Sequence, residues 1–431
     1  MTTLPLPDSL WAATANAAPE TSQLAGDVTV DVAIIGGGFT GLRAALVLAE
    51  AGASVAVVDA GDIGWGCLRR NGGQVNPIGH PAVIAQRWHQ KYGADYAQRY
   101  IDMPLHSADE LFDLIRKHDI HCDAEQNGRI RAVHGDTALS AFEEMARGWQ
   151  SSGADLHLID AAELEHLSGS RAYKSGWLAT RGGSVQPLSY TRGLAQAALS
   201  AGATIYTQSR INQLTRHGAK WQLASDRGNI FADQVILGTN GYTDGLIPGL
   251  RESIVPVVSI QAATRPLTAE QNAQILKQRN TLSDTRRMIN YFKKTADNRL
   301  VFGSAGTAGE VPGIAERRRI IAGLRTVYPQ FPDLELEYIW GGQIAVTQDH
   351  LPHVHQIAPG LLAGLGCNGR GVALSTVMGR LLAEMALGKG PRELPIPLSQ
   401  IQRYPFHRFH RVGIKLAVAW KQICDKHEAG H

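Results

Sequence analysis

The chain has 431 residues, 44% hydrophobic and 19% charged, and its 42 basic and 39 acidic residues give a formal net charge of +3. That composition is ordinary for a globular protein, and the length exceeds what one core usually supports, so more than one domain is expected. No long run of Lys or Arg marks a nucleic-acid surface, and no uncharged apolar stretch approaches the roughly 20 residues needed to span a membrane.

The first residues, MTTLPLPDSLWAATANAAPE, lack the basic start and continuous apolar stretch of a secretory signal. Cys67, Cys122, Cys367 and Cys424 are scattered without a C-x-x-C pair, which argues against disulfide and zinc frameworks and for a reducing cytoplasm.

The first strong elements lie in VDVAIIGGGFTGLRAALVLAEAGASVAVVDA. Val30 to Ile35 form a largely apolar run of the kind a buried parallel strand requires. Gly36, Gly38 and Gly41 then complete G-x-G-x-x-G. Leu42, Ala45, Leu46 and Ala49 recur at helical spacing, Gly52 ends the helix, and SVAVVD is a second buried strand closing on Asp59. In that context the glycines allow close approach to a pyrophosphate, which the helix N-terminus stabilises, and the acidic residue about 20 positions on takes up ribose hydroxyls. The unit predicts dinucleotide binding without separating FAD from NAD.

The next stretch, IGWGCLRRNGGQ from Ile63 to Gln74, is too rich in glycine for a regular element and carries the adjacent Arg69 and Arg70. Such a loop brings main chain close to a large ligand. Further on, ALSAFEEMARGWQ and LTAEQNAQILKQ read as amphipathic helices. Between them, short strands make a hairpin near Gly218 and a buried strand, DQVIL, running into the small-residue segment Gly238-Thr239-Asn240-Gly241. In RMINYFKKTADNRLVFGSAG, strand-forming runs flank the turn residues Asp297-Asn298. Tyr291 and Lys293 there share one side of a strand, while Lys293 and Lys294 can equally be read as solvated edge charges. HLPHVH brings His350, His353 and His355 together without a metal-ligand signature, so no metal is expected. Near the end, Gly366, Gly369 and Gly371 precede a helix with Leu374, Met378, Leu381 and Leu382 on one face. These glycine turns exceed what one nicotinamide cofactor needs and suit a flavin dinucleotide held along its length. An NAD-dependent dehydrogenase would leave the later turns unexplained. A flavin-binding subunit without catalysis would keep them.

With IIGGGFTGL, RRNGGQ, TADNRLVFG, WGGQIAVTQDHLP and GLGCNGRGVALSTVMGRLLAE, the chain resembles the FAD-dependent amine and amino-acid oxidoreductases of the D-amino-acid oxidase superfamily. The similarity runs along nearly the whole chain, in the branch of the glycine, sarcosine and iminodiacetate oxidases and the gamma-glutamylputrescine oxidoreductases. It implies an α/β fold: a Rossmann-like FAD-binding domain interleaved with an antiparallel-sheet substrate domain of α+β type. The implied division gives residues 1–85, 153–250 and 337–431 to the FAD domain, the last with a C-terminal helix, and 86–152 and 251–336 to the substrate domain.

The resemblance also assigns roles. FAD would be held by Gly36, Gly38, Phe39, Thr40, Gly41, Asp59 and Ala60 at the first turn. Gly66, Cys67, Arg70, Asn71, Gly72, Gly73 and Gln74 would run along it in the loop. Ile211, Thr239, Asn240 and Gly241 follow, then Trp340, Gly342, Asn368, Gly369, Arg370, Gly371 and Val372 near the ring. Gly342 stands where the sarcosine-oxidase branch has its linking cysteine, so the flavin is expected to be non-covalent. Cys67-Leu68-Arg69 departs from the small residues usual there, which makes Arg69 this protein's own feature: a cavity cation for a substrate carboxylate, or a solvated loop charge. Tyr291, Lys293, Trp340, His350 and Arg370 complete the expected substrate site. The implied reaction is hydride transfer from a carboxylate-bearing secondary amine or amino acid, iminodiacetate-like, to flavin, with hydrolysis of the imine. A gamma-glutamylputrescine-type or D-amino-acid dehydrogenase activity is the alternative. The electron acceptor would be O2 or another molecule, an oxidase ranking ahead of a dehydrogenase, although the oxygen-activating lysine of sarcosine oxidases aligns near Val301.

Overall fold

The apolar run ending at Ile35 forms a strand, Val28–Ile35, pairing in parallel with Asn229–Leu237 on one side and Val55–Val58 on the other. The computed structural model describes residues 8–77, 82–135, 139–306, 309 and 311–428. Thr204–Tyr206 extends the sheet beyond Val55–Val58, and Leu361–Leu365 extends it beyond Asn229–Leu237. The hairpin Gln213–His217/Lys220–Ala224 turns at Gly218 and pairs onto Asn229–Leu237. Because Ile35 is in register with both Val58 and Leu237, the turns at Gly36, Asp59 and Gly238 open on one carboxyl edge, where open α/β sheets collect ligands.

The helices Phe39–Glu50 and Gly371–Ala386 pack closely on this sheet, each beginning at that edge. Their approach depends on Gly379, where a Cβ would collide with the Thr40 carbonyl and stand 2.8 Å from the Arg43 Cβ. Thr40 Oγ1 donates to the Ser375 carbonyl at 3.2 Å across the same crossing.

A second sheet runs in the order Leu336–Val346, Val255–Thr264, Leu300–Ala305, Asn290–Lys294, Thr281–Asp284, Arg129–Val133, Ser175–Ala179, Leu156–Asp160. It is antiparallel except where Thr281–Asp284 meets Arg129–Val133. This membership departs from the expected division of the chain. Leu156–Asp160 and Ser175–Ala179 pair here rather than in the nucleotide sheet, and Leu336–Val346 lies beside Val255–Thr264. Hydrogen-bond partners decide which sheet a strand joins, and periodicity does not report them. The helix Ala94–Lys117, expected in the substrate domain, packs in part against the other one. Its Leu111, Phe112 and Ile115 enter the core under the nucleotide sheet, and Glu110 pairs with Arg380 at 2.8 and 3.0 Å.

The helix read in LTAEQNAQILKQ stops at Gln274 behind a Thr268–Gln271 capping box, whereas Leu139–Ser151 and the C-terminal His410–Glu428 are full helices. Lys293 and Lys294 are not edge charges. Their strand is interior to the sheet and both are buried. Lys293 Nζ donates to the Val185 carbonyl at 2.7 Å and sits over the Trp11 ring, and burial pushes its pKa down to about 8. A lysine whose folded pKa lies below its unfolded value binds fewer protons folded than unfolded between the two, so its unfavourable contribution fades as pH rises from about 8 toward about 10.5. Lys293→Met removes this dependence. The melting-temperature difference, wild type minus variant, is expected to rise between pH 7 and pH 9.5, and a flat or falling difference would contradict a depressed lysine pKa.

Candidate active site

The carboxyl edge of the first sheet and one face of the second enclose a cavity of about 860 Å³, within the range of small-molecule sites. On the sheet side, Gly36, Gly38, Phe39, Thr40, Asp59 and Ala60 line it. The Asp59 carboxylate accepts from the amides of Gly37 at 2.7 Å and Gly61 at 2.8 Å, fixing it at the mouth of the turn, and burial raises its pKa. Neither Gly38 nor Arg370, the residues capping the two helices, gives a side-chain cap to its helix, so first-turn amides are left without that partner at the cavity wall.

The loop 64–74 becomes a short 3₁₀ turn, Cys67–Arg69, pinned by Asn71. Asn71 Nδ2 donates to the carbonyls of Cys67 and Leu68, both at 3.1 Å; its Oδ1 accepts from Gly73 N, and its own carbonyl accepts from Trp11 Nε1 at 2.7 Å. Gly66, Cys67, Arg70, Asn71, Gly72 and Gln74 face the cavity. The Arg70 guanidinium lies over the Trp65 ring and reaches the Gly341 carbonyl at 3.4 Å. Gly342 makes this possible, because a Cβ there would collide with the Arg70 side chain. Ile211, Thr239, Asn240, Gly241, Gly342, Asn368, Gly369, Arg370, Gly371 and Val372 complete the expected wall. Asn240 and Asn368, both at positive φ, tie the later turns together: Asn240 Oδ1 accepts from Gly366 N, and Asn368 Oδ1 from Thr347 N.

Six expected site residues do not line the cavity. Gly41 lies behind the wall, where its missing Cβ leaves room for the Gly36 carbonyl. Gly73 backs the loop against Val185 and Lys293. Trp340 is core, 2% exposed, edge-on to Trp11, with its Nε1 on the Arg70 carbonyl at 3.3 Å, so it orients the loop from behind. Lys293 opens instead onto a smaller cavity with Trp11, Glu125 and Lys294. His350 is exposed on the turn after Leu336–Val346 at φ 58°. Arg69 is neither a cavity cation nor a solvated charge. Fully buried, it turns away from the cavity, with Nε on the Trp65 carbonyl at 3.0 Å and no hydrogen-bond partner at either Nη. Burial, then the charge of Arg70, lowers its pKa to about 10. The direction of a loop side chain is set by the 3₁₀ turn, which composition does not disclose.

Tyr291 does face the cavity, and it brings company the sequence reading missed. Its hydroxyl bonds Ser259 Oγ and Gln261 Nε2, giving a polar trio beside Gly72, and burial holds the phenol neutral far above neutral pH. Arg129 and Arg131 also line the cavity, with Trp149 and Trp177 nearby. Arg-Ile-Arg on a strand is the signal that could have found them, since alternate residues share a face. Among the described residues, no group of three or more His, Cys, Asp or Glu could hold a metal, and no helix is long and apolar enough to cross a membrane.

A family profile described as FAD dependent oxidoreductase matches residues 31–385. A probable oxidoreductase OrdL of Rhizobium meliloti is 30% identical over 408 residues, 93% of each chain. The gamma-glutamylputrescine oxidoreductase of Escherichia coli is 29% identical over 92% of this chain and 95% of its own. Among solved structures, glycine oxidase from Geobacillus kaustophilus superposes with a TM-score of 0.72 at 21% identity, covering 86% of this chain and 99% of that one.

Proposed function

This chain belongs to the FAD-dependent oxidoreductase family and is an FAD-dependent enzyme of the amine and amino-acid type, and from that premise we propose that it oxidises a carboxylate-bearing secondary amine or amino acid. The observation that carries the reading is that the glycine turns of the first sheet and the polar and cationic face of the second line the same cavity. The glycine turns, with their cradle for a long cofactor and uncapped helix starts, fit FAD.

In this reading Gly36, Gly38 and the start of Phe39–Glu50 hold the pyrophosphate, and Asp59 the ribose. Arg70, Asn71 and Gly72, which line the same cavity, would hold the flavin ring, and the amides at Gly369 to Val372 would stabilise negative charge developing on it. Bound FAD supplies the hydride acceptor. The chain does the rest: Tyr291, a neutral donor, and Gln261 orient the amine, arginines hold its carboxylate, and water hydrolyses the released imine to an amine and an aldehyde or oxo acid. A gamma-glutamyl diamine is the second reading, supported by the similarity of the Escherichia coli enzyme along nearly the whole chain.

Purified protein is expected to be yellow and to release its colour into the supernatant on acid precipitation. Anaerobic addition of an N-carboxymethyl amine is expected to bleach the flavin, and bleaching by gamma-glutamyl diamines alone would favour the second reading. Reduction by a hydroxy acid with no response to any amine would sink both.

A further inference from the structure

We infer that Arg129 and Arg131 form a carboxylate-binding subsite on the second-sheet wall of the cavity, so that the substrate is an amine bearing two carboxylates. The inference rests on the amine-oxidising reading above and deepens it.

The pair is built by the strand. In Arg129–Val133 the side chains alternate: Ile130 and Ala132 enter the core beneath the second sheet, which turns Arg129 and Arg131 to the cavity. Ser283, opposite Arg131 in the parallel register, bridges them, its Oγ accepting from Arg129 Nη2 at 3.0 Å and Arg131 Nη1 at 3.3 Å. One hydroxyl cannot offset two guanidinium charges. Arg129 is only 9% exposed, and its Nε has no hydrogen-bond partner.

The surroundings do not neutralise them. Among the described residues neither arginine makes an ion pair. Asp284, the carboxylate that attracts Arg131, is engaged by Arg286 and accepts from Asn290 N at 2.9 Å. A third cation, Arg370, lines the same cavity and repels both. Burial, reinforced by these like charges, lowers the pKa of Arg129 to about 9, and the guanidinium still carries its proton at neutral pH. Buried cations whose one nearby carboxylate is shared with another arginine are stabilised by an incoming anion, and the planar guanidinium fork matches a carboxylate. Trp177, opposite Arg131 on the neighbouring strand, supplies with Trp149 and Met145 an apolar wall for the carbon chain that bears it.

The test uses the flavin-loaded enzyme with two reacting probes, iminodiacetate and N-methylglycine, and two unreactive ones, glutarate and butyrate. Arg131→Gln, at a half-buried position, and Arg129→Gln are compared with wild type. For iminodiacetate, kcat/KM is expected to fall about ten- to a hundredfold, the loss of one charge-assisted hydrogen bond. N-methylglycine should change less than about threefold, with flavin content unaltered. Independently of turnover, glutarate should perturb the wild-type flavin spectrum at lower concentration than butyrate, and both substitutions should abolish that advantage. Equal losses for the two amines, no loss for either, or glutarate binding no tighter than butyrate would each overturn the subsite. Absence of flavin reduction by any amine, with glutarate preference intact, would instead count against amine oxidation.

Discussion

Gly41→Val is expected to give a folded protein that is purified nearly colourless. A Cβ at position 41 would collide with the Gly36 carbonyl and stand 3.1 Å from Ile34 Cγ2. The valine therefore cannot be accommodated by a rotamer change; the start of Phe39–Glu50 must move off the turn. That movement carries the first-turn amides away from the cavity wall formed by Gly36, Gly38, Phe39 and Thr40. Overpacking of this kind costs about 1–3 kcal/mol, and if most of it falls on the cofactor-competent arrangement, FAD affinity drops about ten- to a hundredfold. The readout is visible flavin absorbance per mole of purified protein, with circular dichroism to show that the fold persists and FAD titration to recover colour at high concentration. Gly41→Ala should lie between the two. Full flavin content in the valine variant would mean that the helix start does not hold the cofactor.

That outcome would test the part of the molecule most legible in the sequence. The first turn could be read because everything it needs is local: a buried strand, three glycines at fixed spacing, an amphipathic helix and a second strand closing on Asp59. The second wall was only partly legible. Its eight strands are scattered between Arg129 and Val346, and sheet membership depends on pairing partners, so Leu156–Asp160, Ser175–Ala179 and Leu336–Val346 were expected in the wrong lobe. The same limit hid Arg129 and Arg131, whose alternation puts them on one strand face but acquires meaning only when that face meets the glycine turns. It also misdirected Arg69, Trp340, Lys293 and His350. Each lies near the loop or strand expected, but side-chain direction set by a 3₁₀ turn, an interior strand or a left-handed turn residue sends it elsewhere.

Gly303→Ala is the corresponding experiment on the second wall, and it is expected to impair turnover while leaving flavin bound. Gly303 lies opposite Tyr291 on one side and opposite Gln261 on the other. Directly opposed residues of antiparallel strands project to the same face. The absent side chain at 303 is therefore what lets the Tyr291 ring lie across an intervening strand and bring its hydroxyl to Ser259 and Gln261. A glycine inside a strand is unfavourable by roughly 0.5–1 kcal/mol relative to alanine, so close approach is the physical reason to retain one. A Cβ there would collide with the tyrosine ring and its hydroxyl, pushing the ring toward Gly72, whose own Cβ position is 3.2 Å from Tyr291 Cε2. The displacement is worth about 1–3 kcal/mol, or roughly ten- to a hundredfold in kcat/KM. Tyr291→Phe keeps the ring and loses only a neutral hydrogen bond, so its loss should be smaller, about three- to tenfold. Because the alanine acts through the ring, its effect should nearly vanish in a Tyr291→Ala background, which a double-mutant cycle measures directly. Additive losses would show that Gly303 matters for the strand itself and that the tyrosine is not the group it makes room for.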